Sequence, residues 1–236
     1  ILASIIVWLI VHMILRRSLT ARRERPYDVN NHYSFRSVLP VLIANTAFVA
    51  MTQMDLVLVK DYFTAEEAGY YAAASILGKA MMYLSGAISL ALFPIAAEEH
   101  ARGEESAGLL IQAIGLTILV CIAGAVFYFV FGEWVITLLY GESYKSAGEI
   151  LKYFGIAIAP MGLIIVAEHY LIARGRVLFA YLFIVIAPLQ FTMIALFHSS
   201  LLFVLAVVGI VGLLHAVLGF GLLWNDFRKQ KPNLSR

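Results

Sequence analysis

Residues 107–131 are twenty-five consecutive positions without one charged side chain, and nothing else in the sequence narrows the fold so far. A strand of a membrane barrel alternates apolar and polar residues over about ten positions, whereas a helix crossing a bilayer needs about 20 mostly apolar residues. The run is a membrane helix. Similar runs place spans near 1–15, 37–59, 69–94, 147–173, 177–197 and 200–224. With 62% hydrophobic residues and only 17 basic and 15 acidic side chains in 236, the chain has too little polar surface to cover a water-soluble domain. The expected fold is all-α: a polytopic helical membrane protein with about seven spans.

The first span reads as truncated. It opens on Ile1 and stops at Arg16-Arg17, whereas a signal peptide carries its positive charges before the apolar run. Residues 1–15 are therefore expected to be the end of a longer helix.

Orientation follows from lysine and arginine, which are retained on the cytoplasmic side. The link 16–36 holds six arginines; Arg102 lies in the link 95–106, Arg174 and Arg176 in the turn 174–176, and four more basic residues in the tail. Thirteen of the seventeen thus fall on one side, leaving Lys60, Lys145 and Lys152 at or near the other and Lys79 within a span. That side is expected to be cytoplasmic, with the C-terminal tail 225–236 on it. The link 16–36 is basic enough to meet anionic headgroups, although retention alone accounts for it. Positive charge scattered over membrane loops makes no nucleic-acid surface, and the Glu98-Glu99 and Glu104-Glu105 clusters read as a solvated turn.

Interruptions mark the interior. Pro160, near Gly155 and Gly162, and Pro188 fall near the middle of two spans and are expected to interrupt them, as lipid tolerates where neighbours re-satisfy freed carbonyls. At 100° per residue, Ser75, Gly78, Lys79, Met82, Ser85, Gly86 and Ser89 share one face of the third span, and Asn45, Thr52 and Asp55 cluster on one side of the second. These two polar faces, joined by a short outer link, form a candidate substrate cavity from Asp55, Lys79, Asn45, Thr52 and Ser75. Gly209, Gly212, Ala216 and Gly219 make a small-residue stripe suited to close helix contact, with His215 beside it for a bond between helices.

Lys79 lies about ten residues into its span, where an unpaired charge costs about 2.5–3.5 kcal/mol. Asp55 differs from it in depth by about 7 Å at 1.5 Å per residue, within reach of a lysine side chain. Three readings stay open: a structural ion pair, a wet cavity touching an anionic or sugar-bearing substrate, or independent snorkelling. Glu168 and His169, about five residues from the inner end of their span, are weaker candidates for a proton relay and are expected at the interface.

Cys121 is the sole cysteine, which excludes an internal disulfide framework or a Cys-based metal site within the chain. Zinc, nucleophile-elbow and phosphate-loop patterns are missing. No enzyme activity, metal or cofactor is expected.

The stretch Met54-Asp55-Leu56-Val57-Leu58-Val59-Lys60, with Tyr62-Phe63, Glu66-Glu67-Ala68-Gly69-Tyr70-Tyr71-Ala72-Ala73-Ala74 and Leu92-Phe93-Pro94, resembles the polysaccharide flippase branch of the multidrug/oligosaccharidyl-lipid/polysaccharide exporter superfamily. Weaker echoes are Phe131-Gly132, then Leu138-Leu139-Tyr140-Gly141 with Tyr144, and Leu171-Ile172-Ala173-Arg174-Gly175-Arg176. Tyr70 and Tyr71 read as interfacial aromatic residues. The resemblance implies a two-lobe transporter that moves lipid-linked oligosaccharide or polysaccharide repeat units across the bacterial inner membrane by alternating access. In that scheme 1–15 ends the last helix of the first lobe, 16–36 is the cytoplasmic inter-lobe link, and 37–224 is the six-helix second lobe. The implied partners are the lipid-linked glycan, membrane lipids and the missing first lobe. A multidrug or cation antiporter of the same superfamily, and a membrane-embedded enzyme of polysaccharide assembly, are the rivals.

Overall fold

The computed structural model describes residues 35–102, 107–173 and 178–230. The expected span 1–15, the basic link up to residue 34, the Glu104-Glu105 cluster, the turn 174–176 and the tail from residue 231 lie outside the described residues. The chain divides into two units, 1–38 and 39–236; the described part of the first is the opening turn of a helix.

Six α-helices and no strand occur among the described residues. They are α1 (Phe35–Tyr62), α2 (Ala65–Arg102), α3 (Ala107–Tyr140), α4 (Lys145–Ala173), α5 (Leu178–Leu196) and α6 (Leu201–Gln230), with a single 3-10 turn, Glu142–Tyr144, before α4. Among the described residues four stretches are long and apolar enough to cross a membrane, namely Ala65–Glu99, Gly108–Tyr140, Glu142–Ile172 and Leu201–Trp224, and Tyr181–Leu196 is a shorter apolar helix. The chain is a polytopic helical membrane protein.

Helix ends are set by local chemistry that hydropathy does not see. Before α2, Thr64 and Glu67 form a reciprocal cap: the Thr64 backbone N–H donates to Glu67 Oε2 at 3.1 Å, and the Glu67 N–H donates to Thr64 Oγ1 at 3.3 Å. The helix thus starts four residues before its apolar run and continues through Glu98-Glu99, which belong to α2 and not to a turn; Glu98 pairs with Arg102 one helical turn on. At 38 residues, α2 is about 57 Å long. α3 stops at Gly141, whose φ of 87° ends the helix in a conformation that costs glycine nothing.

The expected interruptions do not occur. α4 runs unbroken through Pro160 and α5 through Pro188. Proline removes one N–H from the ladder, and in a helix held by neighbours along most of its length that loss does not end it.

α4 is the hub. Two-thirds of its apolar stretch, 67%, is buried against 17% for α3, and α2, α3 and α6 all pack on it. Close approach is possible because small residues face each other. A Cβ on Gly148 would lie 2.6 Å from the Glu133 Cα, and one on Gly155 2.9 Å from the Ala125 Cα, so α3 and α4 meet backbone to backbone. In the expected stripe of α6, Gly209 sits on Ala157 and Gly212 on Pro160, the packing role anticipated for it. α1 differs from all of these: along 39–62 it makes no extended close backbone approach to another described helix. Large aliphatic and aromatic side chains such as Leu119, Val130 and Ile210 point outward, as a surface facing lipid requires.

Candidate functional site

The buried face of α1 reads Met51, Thr52, Asp55, Leu58 and Val59, the spacing of a single helical stripe. On α2 the inward stripe is Ser75, Gly78, Lys79, Met82, Ser85 and Ser89, all buried, with Gly86 half-buried. These stripes bring Asp55 and Lys79 together. Lys79 Nζ donates to Asp55 Oδ1 at 3.0 Å, with the two side chains 5% and 1% exposed. Tyr71 OH donates to Asp55 Oδ2 at 2.9 Å, so both carboxylate oxygens are occupied. Independent snorkelling of Lys79 is therefore wrong: its charge is matched inside the protein, where it would otherwise be costly.

Phe154 of α4 walls this cluster. Lys79 Nζ lies 6.0 Å from its ring centroid, and the Tyr71 ring packs on it at 5.6 Å. The aromatic face adds a modest attraction for the ammonium. Gly78 makes room, since a Cβ there would fall 2.3 Å from Phe154 Cδ1. The arrangement holds an acid, a base and a phenol in one apolar interior, ready to exchange hydrogen bonds with a polar group that enters.

Of the other cavity candidates, Ser75 is buried on the same stripe. Thr52 is buried too, but its hydroxyl donates back to the carbonyls of Phe48 and Val49 within α1. Asn45 does not join them: it is exposed, two turns beyond the buried stretch of α1. Glu168 is only 6% exposed, buried in the bundle although its shallow depth did not require it. His169 is half-buried, its Nδ1 2.8 Å from the Ile165 carbonyl oxygen in its own helix. His215 is buried against the Phe183 ring at 4.4 Å, a contact between α6 and α5. Among the described residues no three metal-ligating side chains come together.

Two participants were missed. Tyr71 is fully buried, and not an interfacial residue; its spacing of eight from Lys79, just over two turns, was the available signal. Gln190 of α5 donates from Nε2 to the Met51 carbonyl at 2.7 Å, joining α5 to α1 one turn from Asp55. A lone amide in an uncharged span, two residues after Pro188, could have drawn attention to it.

The polar cluster shares no residue with the groove of about 660 Å³ between α3, α4 and α6. That groove, floored by Ala157, Pro160 and Gly209, has an almost wholly apolar lining and nothing to orient a polar substrate.

No curated protein and no solved structure matches the chain. The family of polysaccharide biosynthesis proteins matches over residues 1–149, a stretch that contains α1, α2, α3 and the whole Asp55–Lys79–Tyr71 cluster. That match spans well over half of the sequence, and the chain belongs to this family of polysaccharide biosynthesis proteins.

Proposed function

We propose that the protein is a flippase, a transporter that moves lipid-linked oligosaccharide or polysaccharide repeat units across the bacterial inner membrane and does no covalent chemistry on them. The observation that carries this reading is the charged pair Asp55–Lys79, held with Tyr71 inside an otherwise apolar bundle of a polysaccharide biosynthesis protein. Intramembrane charges are expensive and mark substrate or ion pathways. Lys79 is a donor for anionic or hydroxyl groups of a lipid-linked glycan, and Asp55 an acceptor for its hydroxyls. Alternating access needs a second body to rock against, so a second lobe belongs to the proposal, as do the membrane lipids around it. The concentration of arginines in 16–36 and the basic tail favour a cytoplasmic C-terminus.

The experiment uses the full-length gene in a strain lacking its polysaccharide flippase. The wild type should restore surface polysaccharide, whereas Asp55→Leu with Lys79→Met, which removes both charges and retains bulk, should reach the membrane and let lipid-linked repeat units accumulate on the inner face. Full export by that double variant would overturn the reading. Sugar transfer by the purified full-length protein would replace it with an assembly enzyme.

A further inference from the structure

Phe154, Met161 and Glu168 recur at seven-residue intervals along α4 and are all buried, so they form one inward seam. At its outer end Phe154 touches the Asp55–Lys79 cluster, and in the middle Met161 lies against Gly212 of α6. Fourteen residues from Phe154, about 21 Å along the helix axis, the seam ends at Glu168. The two ends differ in one respect. Asp55 has a lysine and a phenol on its oxygens, whereas Glu168 has no ion-pair partner among the described residues.

Among the described residues, the helices packed on α4 place no cation within ion-pair distance of Glu168. α2 offers Lys79, which is committed to Asp55, and at its inner end Glu99 and Arg102, the arginine being paired with Glu98 on an exposed face. α3 carries no acid or base other than the Cys121 thiol and Tyr128 phenol between Ala107 and Phe131, and α5 none besides Tyr181. α6 contributes His215, which packs on Phe183, and, beyond its apolar stretch that ends at Trp224, Asp226, Arg228 and Lys229. On α4 itself His169 faces its own Ile165 carbonyl. A buried carboxylate without an ion pair among the described residues calls for neutralisation, and a proton supplies it.

We infer that Glu168 is a proton-exchange site: it takes up and releases a proton on the inner half of the seam, and this exchange drives the movement that Asp55 and Lys79 accompany. The driving role rests on the flippase reading above, whereas the exchange itself does not. A proton fits because it asks for no further ligands, while a sodium ion needs several oxygen donors and among the described residues no three His, Cys, Asp or Glu side chains come together.

Full-length protein in native membranes is treated with dicyclohexylcarbodiimide, and the peptide containing 145–173 is read by mass spectrometry between pH 6 and 9. The reagent takes the carboxyl proton, bonds to the carboxylate oxygen and rearranges to a stable N-acylurea, so it marks carboxyl groups that carry a proton in an apolar site. Glu168 should be modified, with labelling falling about tenfold per pH unit beyond its titration, while Glu133 of α3, which faces Lys152, stays unmodified. No modification of Glu168, modification that ignores pH, or protection by sodium but not choline chloride would each overturn the proposal. In the flippase-deficient strain, Glu168→Gln should flatten the pH dependence of export and Glu168→Asp should restore part of it. A Glu168→Gln protein with the wild-type pH profile would sink the driving role. Loss of rescue by the wild-type gene would count against the flippase reading and leave the labelling result standing.

Discussion

Two lysine–carboxylate pairs in this protein have nearly the same length and opposite meanings. Lys79–Asp55 spans 3.0 Å and Lys152–Glu133 2.9 Å. The first is buried and has Tyr71 on its second oxygen; the second is open, with side chains 25% and 45% exposed. What surrounds them differs more than what they are. Beside Glu133, α3 and α4 already touch through Gly132 and Gly148, so the open pair decorates an interface that backbone contact has made. Between α1 and its neighbours the backbones stay apart; apolar side chains such as Met51 and Val59 and long polar ones span the gap. An ion pair matters most where helix backbones do not come close.

The comparison breaks most sharply at Asp55 and Lys79. Replacing either one by alanine leaves its partner buried and uncompensated, and should cost about 3–5 kcal/mol, read as lost membrane yield and a lower melting temperature. The double change Asp55→Leu, Lys79→Met should recover most of that stability; if the single variants melt like the wild type, the two pairs are equivalent after all. Tyr71→Phe comes next. It strips one charge-assisted bond from Asp55 and should cost about 1.5–3 kcal/mol, measured by thermal melting in detergent. Gly148→Ala tests the other side of the contrast, because its Cβ would press on the Glu133 backbone and should destabilise by about 1–3 kcal/mol. Lys152→Ala should have the smallest effect, no resolvable change in melting, since an exposed pair is screened by salt and water. A Lys152→Ala effect larger than that of Gly148→Ala would reverse the account of how α3 and α4 hold together.

Much of this was legible in the residues. The inward face of α2 follows from a 100° step, and the meeting of Asp55 with Lys79 from depth and side-chain length alone. Angular arithmetic says which side of a helix a residue is on, however, and not whether a neighbour stands there. Asn45 shares the side of Thr52 yet lies exposed, because packing against α1 begins further along. The burial of Glu168 was missed for the converse reason: distance from a helix end measures depth in the membrane, while burial of α4 comes from the three helices packed around it. Tyr71 looked interfacial because aromatic residues at span ends usually are; its phase on the inward stripe of α2 turns the ring inward, against Phe154 and Asp55. The continuity of α4 through Pro160 depends on contacts that lie far apart in the chain.

The length of α2 makes it a lever. Its 38 residues outreach a hydrocarbon layer of about 30 Å by nearly as much again, so both ends project beyond the membrane core. Lys79 lies within five residues of the midpoint, close to any fulcrum there. A tilt of about 10° then carries the ends some 5 Å sideways but shifts the backbone at Lys79 by only about 1 Å. Under such a tilt the bond to Asp55 would stay closed while Arg102 and Glu66 would sweep through distances that a neighbouring body would feel, so the charged joint stands where a pivot would be.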